Sequence, residues 1–460
     1  MKRRTIAVAL VACAAIALLA QQSDIILKIT GGGKAVIAVP DFRGSADAQK
    51  DMDAFNQTLW ADLESSGMLK MAAKSSYPLE IPQRPQDFRP PLPPKAPTRR
   101  NAPPPRPVRQ GPWLTDWSEP PVNANYLAFG YTAVQGDQLV LFGYLFNVNQ
   151  PDAANAQALG KLYFGPMDAN GARKVAHEFA ADILGQFGAK GLYGTRIYFV
   201  SNRTGNKEIW VMDYDGNGQR PFTNYKSLCT MPSVAPDGTI VAFTSYLQGN
   251  PSIVLHSTDT GRRLPFYNQK ASMNATADFT PDGKSVIYSS SGSGWAQLYM
   301  ADLNGSNLRR ITNTRAIEVE PRINPRTGAE IVFVSGRSGL QQLYRMSIFG
   351  TDAERLTTGE GQASNPSWNP DGRHIAFAWT RGYEPGNFNI FVMDVTNGQF
   401  VQLTHGAGRN ENPSWAPDGR HIVFSSDRTR SQQIWTMLAD GTQLQQLTRQ
   451  GANVMPVWSK

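Results

Sequence analysis

Between residues 191 and 460 the apolar positions fall in short alternating runs broken by polar turns, a period-two pattern that predicts strands. The runs recur. Gly194, Gly238, Gly283, Gly328, Gly372 and Gly419 stand 44, 45, 45, 44 and 47 residues apart, and five residues after each comes Phe199, Phe243, Tyr288, Phe333, Phe377 or Phe424. Pro-Asp precedes most of these glycines, as in Pro236-Asp237, Pro281-Asp282, Pro370-Asp371 and Pro417-Asp418. Proline presets φ, aspartate bonds back to the backbone and glycine accepts a left-handed conformation, so the triplet predicts a tight hairpin turn. Asn324-Pro325-Arg326-Thr327-Gly328 is one residue longer, and a wider turn is expected there. Units close on Ile311-Thr312, Leu356-Thr357, Leu403-Thr404 and Leu447-Thr448. Four short strands in each such period describe a β-propeller blade, and six units fit. The first unit lacks a leading strand, while Met455-Pro456-Val457-Trp458-Ser459 repeats Asn412-Pro413-Ser414-Trp415-Ala416. The tail is therefore expected to complete the first blade and remove an exposed sheet edge.

The preceding region mixes periods. Lys34 to Val39 reads as a strand, and Ser45 as the cap of a helix with Met52, Phe55, Leu59 and Leu63 on one face and Gly67 at its end. Strand-like runs follow at Tyr126 to Thr132, Leu139 to Val148 and Ala158 to Phe164, then a helix presenting Val175, Phe179 and Ile183. The expected fold class is thus a small α/β or α+β domain over residues 34–188, followed by an all-β six-bladed propeller over 191–460. Thirteen prolines between 77 and 112 interrupt the first domain. Such density removes backbone donors and favours extended conformations, so this strip is expected as a solvated basic loop.

The opening has the order of an export signal: Lys2, Arg3 and Arg4, an apolar run from Ile6 to Leu19, then Ala20. Cleavage after Ala20 is expected; Leu10-Val11-Ala12-Cys13 offers a weaker lipoprotein-type alternative. No later apolar run reaches the 18 residues a membrane span needs, and a soluble mature protein is expected. Cys229 then stands as the sole cysteine, which excludes an internal disulfide.

The formal charge of +8 suggests nucleic acid until it is located. Three basic residues of the signal and a net six positive charges in residues 81–110 account for more than the whole excess. The folded regions are near neutral, which argues against nucleic-acid binding.

Catalytic chemistry is not apparent. Neither Ser293 nor Ser338 has the flanking glycines of a hydrolase elbow. His177, His256 and His405 are scattered, and His374 and His421 occupy one place in two repeats, as duplicated scaffolding would. Asp213-Tyr214-Asp215-Gly216-Asn217-Gly218 opens like a calcium loop but has Asn224 at its twelfth position, so an inter-strand turn is expected. Gly31-Gly32-Gly33 precedes a strand, which is unsuited to phosphate. No metal or cofactor is expected. What remains is a ring of loops before the leading strands, Ser272 to Thr276, Ile317 to Glu320, Gln362 to Asn365 and Arg409 to Asn412, with Asn365 and Asn412 as further contact candidates.

An export signal, a small mixed domain and six Pro-x-Trp-x-Pro-Asp-Gly-type repeats ending on Val457-Trp458-Ser459 closely resemble the TolB family of the Tol-Pal system. Trp210-Val211-Met212 before Tyr214-Asp215-Gly216, and Ala35 to Pro40 before Phe42, match that family in detail. The resemblance implies a non-catalytic, monomeric periplasmic adaptor without cofactor, supporting outer-membrane integrity and constriction at division. It implies a Pal-like lipoprotein bound at the propeller mouth, with contacts at Met273, Thr276 and Val319 and with Asn274 and Glu320 adjacent. Met273 and Val319 are apolar where that family carries polar types. It also implies a TolA-like inner-membrane-anchored partner for an arm over residues 21–33, in which Asp24, Ile25, Ile26, Leu27, Lys28 and Ile29 form a possible edge strand. The competing reading is an exported propeller that binds a small ligand, or processes a carbohydrate or peptide, in its channel.

Overall fold

In a β-strand alternate side chains face opposite sides, so a strand with two apolar faces requires cover on both. The N-terminal region shows this directly. A computed structural model describes residues 33–92, 108–382 and 384–459; the signal segment and the arm from Asp24 to Ile29 lie outside these residues. The chain divides into two units, one over Gly32–Tyr193 and one from Gly194 onward.

In the first unit the main sheet order is Leu69–Met71, Ala35–Ala38, Tyr126–Gln135, Gln138–Asn147 and Gln157–Pro166. Ala35–Ala38 runs parallel to both of its neighbours, and the last three strands form an antiparallel meander. This mixed sheet with its helices on one face settles the architecture as α+β. Helices Met52–Ser65 and Ala169–Gln186 bury Phe55, Leu59, Phe179 and Ile183 against that face. His177 Nδ1 lies 2.6 Å from Asp62 Oδ2 and ties the two helices together. At Gly143 this packing leaves little room for a side chain: a Cβ there would stand 2.9 Å from the Phe179 ring. Ser45 precedes a 3₁₀ turn over Ala46–Asp51 and makes no side-chain cap bond, so its expected capping role is corrected.

The opposite face corrects the expectation of a wholly solvated proline strip. Phe88 is 6% exposed and packs between Phe129 and Phe146, with ring centroids 5.5 and 5.4 Å away. Leu114 and Trp117 extend the same cluster. The Tyr77 hydroxyl donates to the Ala72 carbonyl and accepts from the Val39 N–H. Leu92 and Val108 form an isolated antiparallel bridge. Prolines forbid regular ladders but not side-chain burial, and an apolar sheet face requires cover. Residues 93–107 lie outside the described residues.

The second unit is six four-stranded sheets. In blade 1 the final strand, Asn453–Trp458, pairs antiparallel with Arg196–Thr204, so the tail closes the ring. Trp458 Nε1 donates to Thr195 Oγ1 at 2.9 Å and anchors the closure. The aromatic five residues after each turn glycine is at most 1% exposed in every blade. The Pro-Asp-Gly turns close with an N–H to C=O bond over three residues, as from Gly283 to Thr280, whereas Gly328 reaches back four residues to Asn324. That turn is wider, as its extra residue requires.

The repeated threonine has a defined duty. Its hydroxyl accepts the backbone N–H of the third strand: Leu298 to Thr312, Leu343 to Thr357, Ile390 to Thr404 and Ile434 to Thr448, all at 2.8–2.9 Å. Three of these blades have an outermost strand of only two residues, so this latch supplies pairing the short ladder lacks.

Candidate channel-mouth site

A leading strand at the centre of a propeller leaves one edge unpaired, and proline is tolerated there because it offers no donor to leave unsatisfied. The leading strands of blades 2 to 6 are Cys229–Val234, Asn274–Phe279, Glu318–Ile323, Ala363–Trp368 and Asn410–Trp415; Asn453–Trp458 serves blade 1. Each ladder carries a register shift at its third and fourth residues. At the third residue φ is positive: Met231 54°, Thr276 55°, Glu320 53°, Asn365 53°, Asn412 53° and Met455 53°. Proline follows all but Thr276, which precedes Ala277. A bulge re-aims its side chain, and here it builds a ring of six residues around the channel.

Hydrogen bonds link successive blades along part of this ring. Glu320 N–H donates to Thr276 Oγ1 at 3.3 Å, Asn365 N–H to Glu320 Oε2 at 2.6 Å and Asn412 N–H to Asn365 Oδ1 at 3.3 Å. Asn365 Nδ2 also donates to both Glu320 oxygens, at 3.2 and 3.3 Å. Thr276 N–H turns to Thr244 Oγ1 instead, because Met231 offers no such acceptor. Two residues further along the strands, Ile323 N–H meets Asp278 Oδ2 at 2.9 Å, Trp415 N–H meets Ser367 Oγ and Trp458 N–H meets Ser414 Oγ. Side chains of one blade thereby satisfy the free edge of the next.

The channel has a volume of about 380 Å³. Its charged groups include Glu320, Asp278 and Arg322. Arg322 leans toward Asp278, with Nη1 3.9 Å from Oδ1 and 3.3 Å from the Ala277 carbonyl. Burial pushes the carboxyls of Glu320 and Asp278 above the usual carboxylate range, and hydrogen bonds with the Arg322 charge offset this only in part.

The structure changes the placement of several expected residues. The four candidate loops run into the strands: Thr276, Glu320, Asn365 and Asn412 are bulge residues inside them and line the channel. Asn274 is 3% exposed inside blade 3, with its Nδ2 on the Gln269 carbonyl, so its side chain does not face the channel. Val319 packs into the cluster between blades 4 and 5. Met273 precedes the strand, held by bonds with Ser291, outside the channel lining. Met231 and Met455 were missed. Both stand one residue before a proline, as Glu320, Asn365 and Asn412 do, and that alignment would have found them.

Strand direction puts the hairpins between second and third strands on the same face as the bulges. There Leu228, Tyr246, Leu247, Trp295, Ile317 and Leu340 are exposed, all around the leading strands and hairpins of blades 2 to 4. The facing arc instead carries Arg381, Glu384, Arg409, Asp427 and Arg430. His374 and His421 lie away from this mouth, each bonded through Nδ1 to the turn aspartate three residues earlier, Asp371 or Asp418. Asp213 to Gly218 form a strand-connecting turn. No group of three or more His, Cys, Asp or Glu side chains converges as a metal-ligand set among the described residues. None of their helices is long and apolar enough to cross a membrane.

A solved structure of TolB from Acinetobacter baumannii superposes with a TM-score of 0.74 over 93% of this chain and 97% of that one, at 22% identity, and shares the fold. A TolB homolog from Chlorobium chlorochromatii is 32% identical over 206 residues, 44% of each chain. A Tol-Pal system protein TolB from Desulfosudis oleivorans is 31% identical over 216 residues, 45% of this chain and 47% of its own. The matched segments thus span less than half the length of these relatives. A family model, the TolB beta propeller domain, matches residues 186–384 and 359–460. That match takes in all six blades and more than half of the residues, and the chain belongs to the TolB beta propeller family.

Proposed function

We propose that this chain is a non-catalytic periplasmic adaptor of the Tol-Pal system. Its propeller mouth docks a Pal-like lipoprotein, and the arm segment from Asp24 to Ile29 engages a TolA-like protein as an added strand. Through these two partners it supports outer-membrane integrity and constriction during division. The observation that carries the reading is the ring of bulge residues, Met231, Thr276, Glu320, Asn365, Asn412 and Met455, opening beside an arc of exposed apolar side chains on one face. Monomeric proteins rarely expose a large contiguous apolar patch without a partner.

The test is capture of a soluble Pal-like domain by the chain starting at Gln21. Asn412→Lys places a long cation at the mouth and is expected to weaken capture by about tenfold or more while the propeller still melts cooperatively. Undiminished capture would remove the mouth from the interface. Deleting residues 21–30 should abolish capture of a TolA-like domain and spare the Pal-like one; survival of both ends the arm assignment. A channel of about 380 Å³ is also within the size range of small-ligand pockets, and a thermal-shift screen of periplasmic metabolites tests that second reading.

A further inference from the structure

The ring at the mouth is chemically two-sided. In a six-bladed ring each blade faces the third one on, so Met455 of blade 1 stands across from Glu320 of blade 4, and Met231 of blade 2 across from Asn365 of blade 5. One side is a pair of flexible thioether side chains, which pack well against aliphatic stems. The other is a carboxylate held in place by the amide of its neighbour.

The charge on that carboxylate is only partly matched. Within the channel Glu320 and Asp278 face one guanidinium, Arg322, and Arg322 lies against Asp278. Glu411 of blade 6 also faces Glu320 but is paired with Arg409 at 2.6 Å. Among the described residues no cation forms an ion pair with Glu320, whose bonds come from the neutral Asn365. A half-buried carboxylate in a narrow channel that shares its one nearby guanidinium with Asp278 is costly, and a cation supplied from outside would relieve that cost.

We infer that the channel mouth is a socket for a lysine side chain carried on the docked partner, its aliphatic stem on Met231 and Met455 and its ammonium on Glu320. This inference rests on the docking reading above. Lysine fits better than arginine because Asn365 donates to Oε2 and to Oε1, leaving no free pair of oxygens for a bidentate guanidinium. An ammonium needs one open lone pair. A protonated Glu320 cannot hold the ammonium, and burial already raises its pKa, so affinity falls as pH drops through that raised value. Asp278, Glu411 and Arg322 are the other charged groups that bear on this titration.

Two measurements separate the socket from the docking. Calorimetry of the mature chain with a soluble Pal-like domain, at about 50 and about 300 mM NaCl, should give weaker binding at high salt and about tenfold weaker binding for Glu320→Gln, with the salt effect reduced in that variant. Met455→Thr, which installs the residue blade 3 already uses at this position, should weaken binding without altering the salt dependence. The peptide acetyl-Gly-Ser-Lys-Ser-Gly-amide, titrated against its norleucine analogue, should bind more tightly and only while Glu320 is intact. Equal binding of both peptides, together with Pal-like capture indifferent to Glu320→Gln and to salt, overturns the socket and leaves the docking standing. Glu320-dependent binding of the lysine peptide without any Pal-like capture keeps the socket and removes the docking partner.

Discussion

The two units solve one problem in opposite ways. The N-terminal unit covers a single sheet with elements used once each: two helices on one face, and Phe88, Leu114 and Trp117 on the other. The propeller uses one blade plan six times, with a buried aromatic at the same place in each and a threonine latch in five, Asn268 taking that duty for Ile253 N–H in blade 2. A position repeated six times stands out above the variation around it, while a position used once has nothing to be compared with. The difference also bears on stability, because blades lean on their neighbours and a ring cannot lose one without opening.

The sharpest way to break that comparison is to remove residues 452–460. Blade 1 loses its leading strand and the edge of Arg196–Thr204 is bared, so the propeller is expected to lose cooperative melting altogether, as read by calorimetry. Next come two aromatic truncations of the same size. Phe333→Ala and Phe88→Ala should each cost about 3–5 kcal/mol in denaturant titrations. Both side chains are buried. If Phe88→Ala is silent, the second face of the N-terminal sheet is not held by the proline-rich segment. Thr357→Val is expected to cost about 1–3 kcal/mol, because Leu343 N–H loses its acceptor inside the blade. A change below a few tenths would show that the two-residue strand needs no latch.

The smallest effect is an acid one. Burial alone would raise the Asp394 carboxyl, but hydrogen bonds from Arg373 and Thr396 outweigh it and hold it at about 2. Asp371 and Asp418 are likewise shifted downward: burial opposes the shift, and the bonds and charge of His374 and His421 overcome it. Folded values below the unfolded one, roughly 4, mean that this stabilisation is present above pH 4 and is lost as pH falls toward 2. Asp394→Asn should flatten the melting temperature across that window and leave it unaffected by pH there to a greater degree than the parent; an identical pH profile would show the pairing contributes nothing.

Most of the blade was legible. The glycine-to-aromatic spacing, the lengthened turn at Gly328 and the closing role of Val457-Trp458 all follow from comparing one repeat with the next. The channel ring was only half legible. Asn365 and Asn412 tolerate a left-handed backbone and so read as loop-like, but Met231, Thr276, Glu320 and Met455 give no such sign. Their shared conformation comes from the bulge in the ladder, a property of two strands and not of one. Phe88 was hidden for a similar reason, since thirteen surrounding prolines describe the backbone and say nothing of where one ring can go.

The amino-acid order by itself therefore determined the period, the number of blades, the turns and the pairing of the tail with the first blade, because each is a local or repeated feature of the chain. Only the tertiary structure decided which residues face the channel, which of them exchange hydrogen bonds across blades, and that Glu320, opposite Met455, forms no ion pair among the described residues. Those depend on groups about 45 residues or more apart in the chain, brought together by closure of a ring.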